Sequence, residues 1–194
     1  MATISGVHHA VESRLGAARV SINRVGIWMF FLSETFLFGV LISTRFYLQG
    51  VQKPDELNQV LGLMITAVLL LSSLTAYRAE TAAANGDNAQ FKRNIIGTIL
   101  LGLVFMAGVG FEWFEGYQHF PPSNIFGSIF FTTTGIHATH VLTGLILLGI
   151  VYYLGRKPGR FGEGNYWGVE VSVKYWHFVD VAWVFIYPTL YLVK

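Results

Sequence analysis

Long apolar runs alternate with short polar stretches along nearly the whole chain. A membrane-spanning helix needs about 20 mostly apolar residues, because each residue adds about 1.5 Å along the helix axis. Five segments meet this requirement: 25–48, 57–79, 95–117, 125–154 and 171–193. The pattern therefore predicts an all-α fold, an integral membrane bundle of five transmembrane helices.

The prolines and the short connections support this division. Pro54, Pro121, Pro122 and Pro158 lie between the predicted helices, where a missing amide hydrogen breaks no helical hydrogen bond, and only Pro188 lies inside one. Short connections place successive helices side by side and antiparallel. We expect residues 25–194 to form one transmembrane domain, preceded by an N-terminal segment of residues 1–24.

Composition agrees with a membrane protein and excludes several other classes. The chain is 53% hydrophobic and 12% charged, whereas soluble domains carry about a quarter charged residues. Its net charge of +2 comes from bases scattered through short loops, which argues against nucleic-acid binding. There is no cysteine, which excludes a disulfide framework and a thiolate metal site.

Basic residues near the helix ends predict the orientation, because Lys and Arg flanking a span stay in the cytoplasm. The N-terminal side holds Arg14, Arg19, Arg24, Arg78, Lys92, Arg93, Arg156, Lys157, Arg160 and Lys174. The opposite side holds Arg45, Lys53 and Lys194. The N-terminus, with residues 1–24, is thus expected in the cytoplasm and the C-terminus outside. Aromatic residues near the span ends are expected to anchor them at the lipid headgroups: Tyr47, Tyr77, Trp113, Tyr117, Tyr152, Tyr153, Trp167 and Trp176.

Ionisable side chains inside a membrane are expensive and are candidates for function. Glu34 lies in the first predicted span with no basic residue within two turns. We expect its carboxyl group to be protonated, and either a structural hydrogen bond or proton handling would explain it. Glu112 and Glu115 share one face of the third helix and are interpreted as groups that cap or bridge helices near water.

Histidines and an aspartate form a third polar group. His137 and His140 lie on the fourth predicted helix, and His177 and Asp180 lie on the fifth. Their spacing of three residues places each pair on one face, so both a metal site and hydrogen bonding between helices are open. His137 or His140 is expected to share a polar contact with the region of His177 and Asp180, either directly or through one water. A stripe of small residues on the second helix is interpreted as packing surface: Ser72, Ser73, Thr75, Ala76 and Ala79.

Several of these segments resemble subunit III of the haem-copper respiratory oxidases. The most specific match is YWHFVDVAWVFIY (residues 175–187), which is similar to the signature of that family's last helix. The next is FFTTTGIHATHVLTG (residues 130–144), which is similar to the family's TGFHGxHV stretch. Shorter matches are FLSETFLFG around Glu34, LLSSLTAYRA on the second helix and FEWFEGY on the third. The chain is most similar to the five-helix form found in many bacterial oxidases.

The resemblance implies a non-redox subunit of a proton-pumping cytochrome c oxidase in aerobic respiration. Haem and copper would reside in partner subunits, with subunit I as the main contact and subunit II and small subunits beside it, and the chain would bind phospholipid but no metal. The expected location is the bacterial cytoplasmic membrane. Glu34 matches the family's intramembrane carboxyl group. Open alternatives are subunit III of a quinol oxidase or a nitric oxide reductase, and an independent transporter.

Overall fold

A computed structural model describes the backbone of residues 2–50, 54, 57–157 and 159–193, and the side chains within these ranges from residue 20 onward. Its elements are α1 (Ala2–Gln49), α2 (Gln59–Ala84), α3 (Asn88–His119), α4 (Ile125–Leu154), α5 (Trp167–Tyr187) and a π-helix (Pro188–Leu192). Throughout these ranges there is no strand, so the all-α prediction is confirmed.

Four of the helices are long and apolar enough to cross a membrane. They are the part of α1 from Val20 to Gln49, then α2, α3 and α4. The predicted span 125–154 coincides with α4. Helix α2 begins after its predicted start and extends beyond its predicted end, and α3 extends beyond its prediction at both ends. Both begin at a polar cap, because the side chain of Asn58 accepts a hydrogen bond from the amide of Leu61 at 3.0 Å and that of Asp87 accepts one from the amide of Gln90 at 3.0 Å.

The chain divides into two compact units, Met1–Leu37 and Phe38–Lys194. The described part of the first unit is a single stretch of α1. Its hydroxyl groups bond along the helix, as when Ser33 donates to the carbonyl of Phe30 at 2.7 Å and Thr35 to that of Phe31 at 2.7 Å. Glu34 lies between these two residues, inside the candidate span.

The second unit contains the end of α1 and the helices α2 to α5. Within it α3 packs against α2 and α4, and α5 packs against α2 and α4. Large apolar side chains point outward, including Leu63, Leu74, Leu100, Phe114, Leu142, Ile146 and Phe185. Buried polar side chains lie inside, including Thr66, Ser72, Thr98, Thr133 and Thr134. This arrangement suits a protein surrounded by hydrocarbon, where interhelical contacts use small and polar residues.

Trp176 corrects one prediction about the aromatic residues. We expected it at the lipid headgroups, but its side chain is 0% exposed. The indole lies in a slot between Gly102 of α3 and Gly144 of α4, where an added Cβ would come within 2.6 Å and 2.8 Å of the ring. The glycines let three helices approach one another, so Trp176 is a central packing residue.

Pro188 ends the last α-helix. Proline lacks an amide hydrogen and cannot continue the α-helical ladder, so the chain changes to a single π-helical turn at this residue. The turn buries Leu190 and Tyr191. The predicted fifth helix, 171–193, thus consists of two elements, an α-helix that begins at Trp167 and the short π-helix after it.

Candidate functional site

A polar cluster joins α5 to α2 in the middle of the bundle. The hydroxyl of Ser73 donates a hydrogen bond to Oδ2 of Asp180, and Ser73 Oγ lies 3.0 Å from Nδ1 of His177. A hydroxyl has one hydrogen, so His177 Nδ1 is then the donor to Ser73. Asp180 is buried, and among the described residues its Oδ1 has no hydrogen-bond partner.

The direct hydrogen-bond partner of this pair differs from the predicted one. We expected a histidine of α4, because α4 and α5 are neighbours in sequence, but the hydrogen-bond partner of both side chains is a serine of α2. The sequence predicts Ser73 only as part of a packing surface. Its position on a small polar stripe, facing another helix, was the available signal.

His137 is enclosed by aromatic rings. It is fully buried, and its ring centroid lies 4.8 Å from that of Trp183, 5.8 Å from that of Phe105 and 6.3 Å from that of Phe38. Within the described part of the chain, neither ring nitrogen has a hydrogen-bond partner. A neutral imidazole that packs as an aromatic ring fits these surroundings.

His140, one turn further along α4, is held differently. Its Nδ1 lies 2.8 Å from the carbonyl of Ile136, and the hydroxyl of Tyr175 donates to the carbonyl of His140 at 3.3 Å. His177 and Asp180 share Ser73 as a partner, whereas His137 and His140 each have other neighbours. In the described ranges no three His, Asp or Glu side chains are placed to hold one metal ion.

Tryptophans and hydroxyl groups form further bonds between helices. The indole of Trp176 donates to Ser72 at 2.9 Å, and that of Trp183 donates to Thr66 at 2.9 Å, so α5 is bonded to α2 twice more. In the same way, Trp113 of α3 donates to Thr134 of α4 at 3.0 Å. Buried indole N–H groups need an acceptor, and a hydroxyl on a facing helix supplies it.

The two glutamates of α3 have different surroundings. Glu112 is buried, and the hydroxyl of Tyr191 donates to its Oε2 at 2.6 Å, which connects α3 to the π-helix. Glu115 is only partly buried. The two carboxyl groups do not form a matched acid and base pair, and the geometry of Glu112 is that of a group bridging two elements.

Removing the Tyr191 hydroxyl is expected to destabilise this end of the bundle. In Tyr191→Phe, the buried Glu112 carboxyl loses the one hydrogen bond that the described residues give it, which costs about 1–3 kcal/mol. Tyr187→Phe is the matched control, because Tyr187 stacks on Tyr191 but no hydrogen bond of its hydroxyl is found among the described residues. Thermal unfolding of both variants tests this, and equal stability would contradict the role of the bond.

Arg45 is buried, although the sequence pattern predicts it only as a base that flanks the first span. Its side chain is buried, its Nη1 donates to the carbonyl of Gly50 at 2.6 Å, and its guanidinium lies 5.4 Å from the centre of the Phe126 ring. A lone arginine in the apolar run LISTRFYLQ was the available signal. It connects the end of α1 to the start of α4.

These contacts define a class of protein. Many described polar side chains of the interior join one helix to another, and many large apolar side chains lie on the outer surface, as in a helical membrane protein. Comparison with known proteins gives the particular family. A family profile described as cytochrome c oxidase subunit III matches residues 2–194, and the chain belongs to this family.

Three bacterial relatives agree with the family assignment. A cytochrome c oxidase subunit 3 of Synechocystis sp. is 32% identical, covering 86% of this chain and 74% of the relative. A probable cytochrome c oxidase subunit 3 of Nocardia farcinica is 34% identical, covering 98% and 96%. That of Corynebacterium diphtheriae is 33% identical, covering 95% of each. The predicted resemblance is confirmed, and the chain is an accessory subunit of a haem-copper oxidase.

Proposed function

We propose that the chain crosses the bilayer five times, with its N-terminus in the cytoplasm. The length of α5 supports the fifth crossing: 21 residues extend about 31 Å, close to the thickness of the hydrocarbon core. Its contacts also support it. Gly168 at its start lies beside Val151 near the end of α4, and beyond its end Tyr191 accepts a hydrogen bond from Gln59 at the start of α2.

The orientation rests on the distribution of Lys and Arg between the two sides. Residues 1–24 then lie in the cytoplasm, and residues 25–194 form the transmembrane domain. Because the relatives named above are bacterial, we place the chain in a bacterial cytoplasmic membrane.

Within the oxidase, the chain is a non-redox subunit that packs against subunit I, stabilises it and retains phospholipid. The observation that carries this proposal is the family match over residues 2–194. Cytochrome c is the electron donor, haem and copper are bound by the partner subunits, and O₂ reduction and proton pumping occur there. The histidines support this division of labour, since His137 packs among aromatic rings and His177 bonds to Ser73.

Removal of this chain from the purified oxidase tests the proposal. We expect the remaining complex to keep its full haem and copper content and its initial rate of O₂ reduction, but to lose activity sooner during turnover or heating. Loss of a stoichiometric metal on removal would contradict a non-redox role. Iron, copper or zinc bound to the isolated chain through His137, His140 or His177 would contradict it equally.

A further inference from the structure

A cavity of about 320 Å³ opens where α2 ends and α3 begins. All of its described lining residues except Ala82 carry a polar group, and they include Arg78 on α2 and Arg93 on α3, with Asn85 and Asn94 beside them. The volume is at the lower end of the range of about 300–1,000 Å³ that is typical of small-ligand sites. It does not overlap the polar cluster around Asp180.

Among the described residues, neither arginine has a counter-charge of its own. Neither guanidinium makes a hydrogen bond or an ion pair with any residue of the described ranges. Of the described lining residues only Asp87 carries a carboxylate, and its side chain caps the first turn of α3 by accepting from the amide of Gln90. The cavity therefore presents two uncompensated cations and several amide groups, a combination that suits an anion with several oxygens.

The surface next to the cavity is apolar in the direction of the membrane. On α2, Leu74 and Leu70 lie three and seven positions before the cavity residue Tyr77. On α3, Ile96 and Leu100 lie three and seven positions after Arg93. These spacings keep them on the faces that line the cavity. They are all exposed: Leu70, Leu74, Ile96 and Leu100. A polar cavity thus continues into an apolar surface along two helices.

We infer that this cavity binds the phosphate headgroup of an anionic phospholipid of the cytoplasmic leaflet, with the acyl chains along α2 and α3. Basic pockets between membrane helices on the cytoplasmic side attract such headgroups. The adjoining apolar surface favours a lipid over a free phosphate ion. The inference rests on the topology proposed above. It adds to the proposed phospholipid binding the location of the site and the negative charge of the lipid.

Phosphatidylglycerol binding to the intact detergent-solubilised oxidase tests the inference. Arg78→Gln combined with Arg93→Gln is expected to weaken phosphatidylglycerol binding about 30-fold, because the contributions of the two basic residues to the affinity multiply. Arg78→Lys with Arg93→Lys keeps both charges and is expected to stay within about threefold of the unmodified complex. Arg160→Gln is the matched control, because Arg160 is an exposed arginine that does not line the cavity.

Two competing ligands show whether the cavity binds an anionic lipid or a free phosphate ion. Phosphatidylcholine and inorganic phosphate are both expected to displace phosphatidylglycerol poorly. Unchanged binding in the double Gln variant would overturn the inference, and so would displacement by inorganic phosphate, which indicates a site for a free anion. Loss of a partner subunit from the double Gln variant would also overturn it, by indicating a protein contact. Any of these results leaves the proposed role in the oxidase intact, since the family match does not depend on this cavity.

Discussion

Valine in place of Gly144 is expected to expel the chain from its complex. A Cβ at this position would lie 2.8 Å from the indole of Trp176, whose opposite edge is confined by Gly102. Overpacking a buried site costs about 1–3 kcal/mol, and displacing the indole from Ser72 leaves a buried donor unsatisfied for about 1–3 kcal/mol more. The sum, about 2–6 kcal/mol, is a large share of the stability of a typical domain.

Gly149→Val on the same helix is the matched control. Apart from the adjacent backbone of α4, no heavy atom of the described residues lies within 4 Å of a Cβ added at Gly149, so valine there is expected to be tolerated. The measurement is the amount of this chain that copurifies with the oxidase, together with its thermal unfolding. If Gly144→Val and Gly149→Val assemble equally well, the slot around Trp176 does not limit packing.

Alanine in place of Asp180 is expected to give the second large loss. The change leaves a cavity and removes the acceptor of the Ser73 hydroxyl from the buried interface of α2 and α5, at a cost of about 2–4 kcal/mol. Asp180→Asn keeps the shape and an acceptor oxygen, so its effect is expected to be clearly smaller. Assembly of the oxidase and thermal stability of the complex are the measurements.

A double-mutant cycle assigns the effect to the Ser73 bond. Residues in direct contact show coupling energies of about 0.5–3 kcal/mol, whereas independent sites add within a few tenths. We expect Ser73→Ala and Asp180→Ala together to cost less than the sum of the two single changes. Strict additivity would show that Asp180 stabilises the bundle without the Ser73 contact.

The helices were largely predictable from the sequence because hydrocarbon imposes a length and an apolar composition on each segment. The prediction 125–154 for α4 matched the structure for this reason. The ends of α3 were less predictable, since its first turns are polar and are fixed by the Asp87 cap. Apolar content indicates where a helix crosses a membrane, but it does not report where the helix begins.

The interior contacts were harder to predict than the residues that make them. Asp180 and His177 were recognised as polar groups that need partners, but short connections indicate only which helices are neighbours in sequence. The contact of α5 with α2 joins helices distant in the chain, so Ser73 could not be singled out. Trp176 was misplaced for a similar reason, because only the packed helices bring Gly102 and Gly144 to its two edges.

Affinity purification of the full-length tagged chain from its native membrane tests the central proposal most directly. Membership in the cytochrome c oxidase subunit III family predicts that the chain is recovered in a fixed ratio with larger subunits that carry the haem and copper. The eluate should show a haem absorption spectrum and reduce O₂ with electrons from cytochrome c. Recovery of the chain alone, or in a complex without haem, would contradict the proposed role.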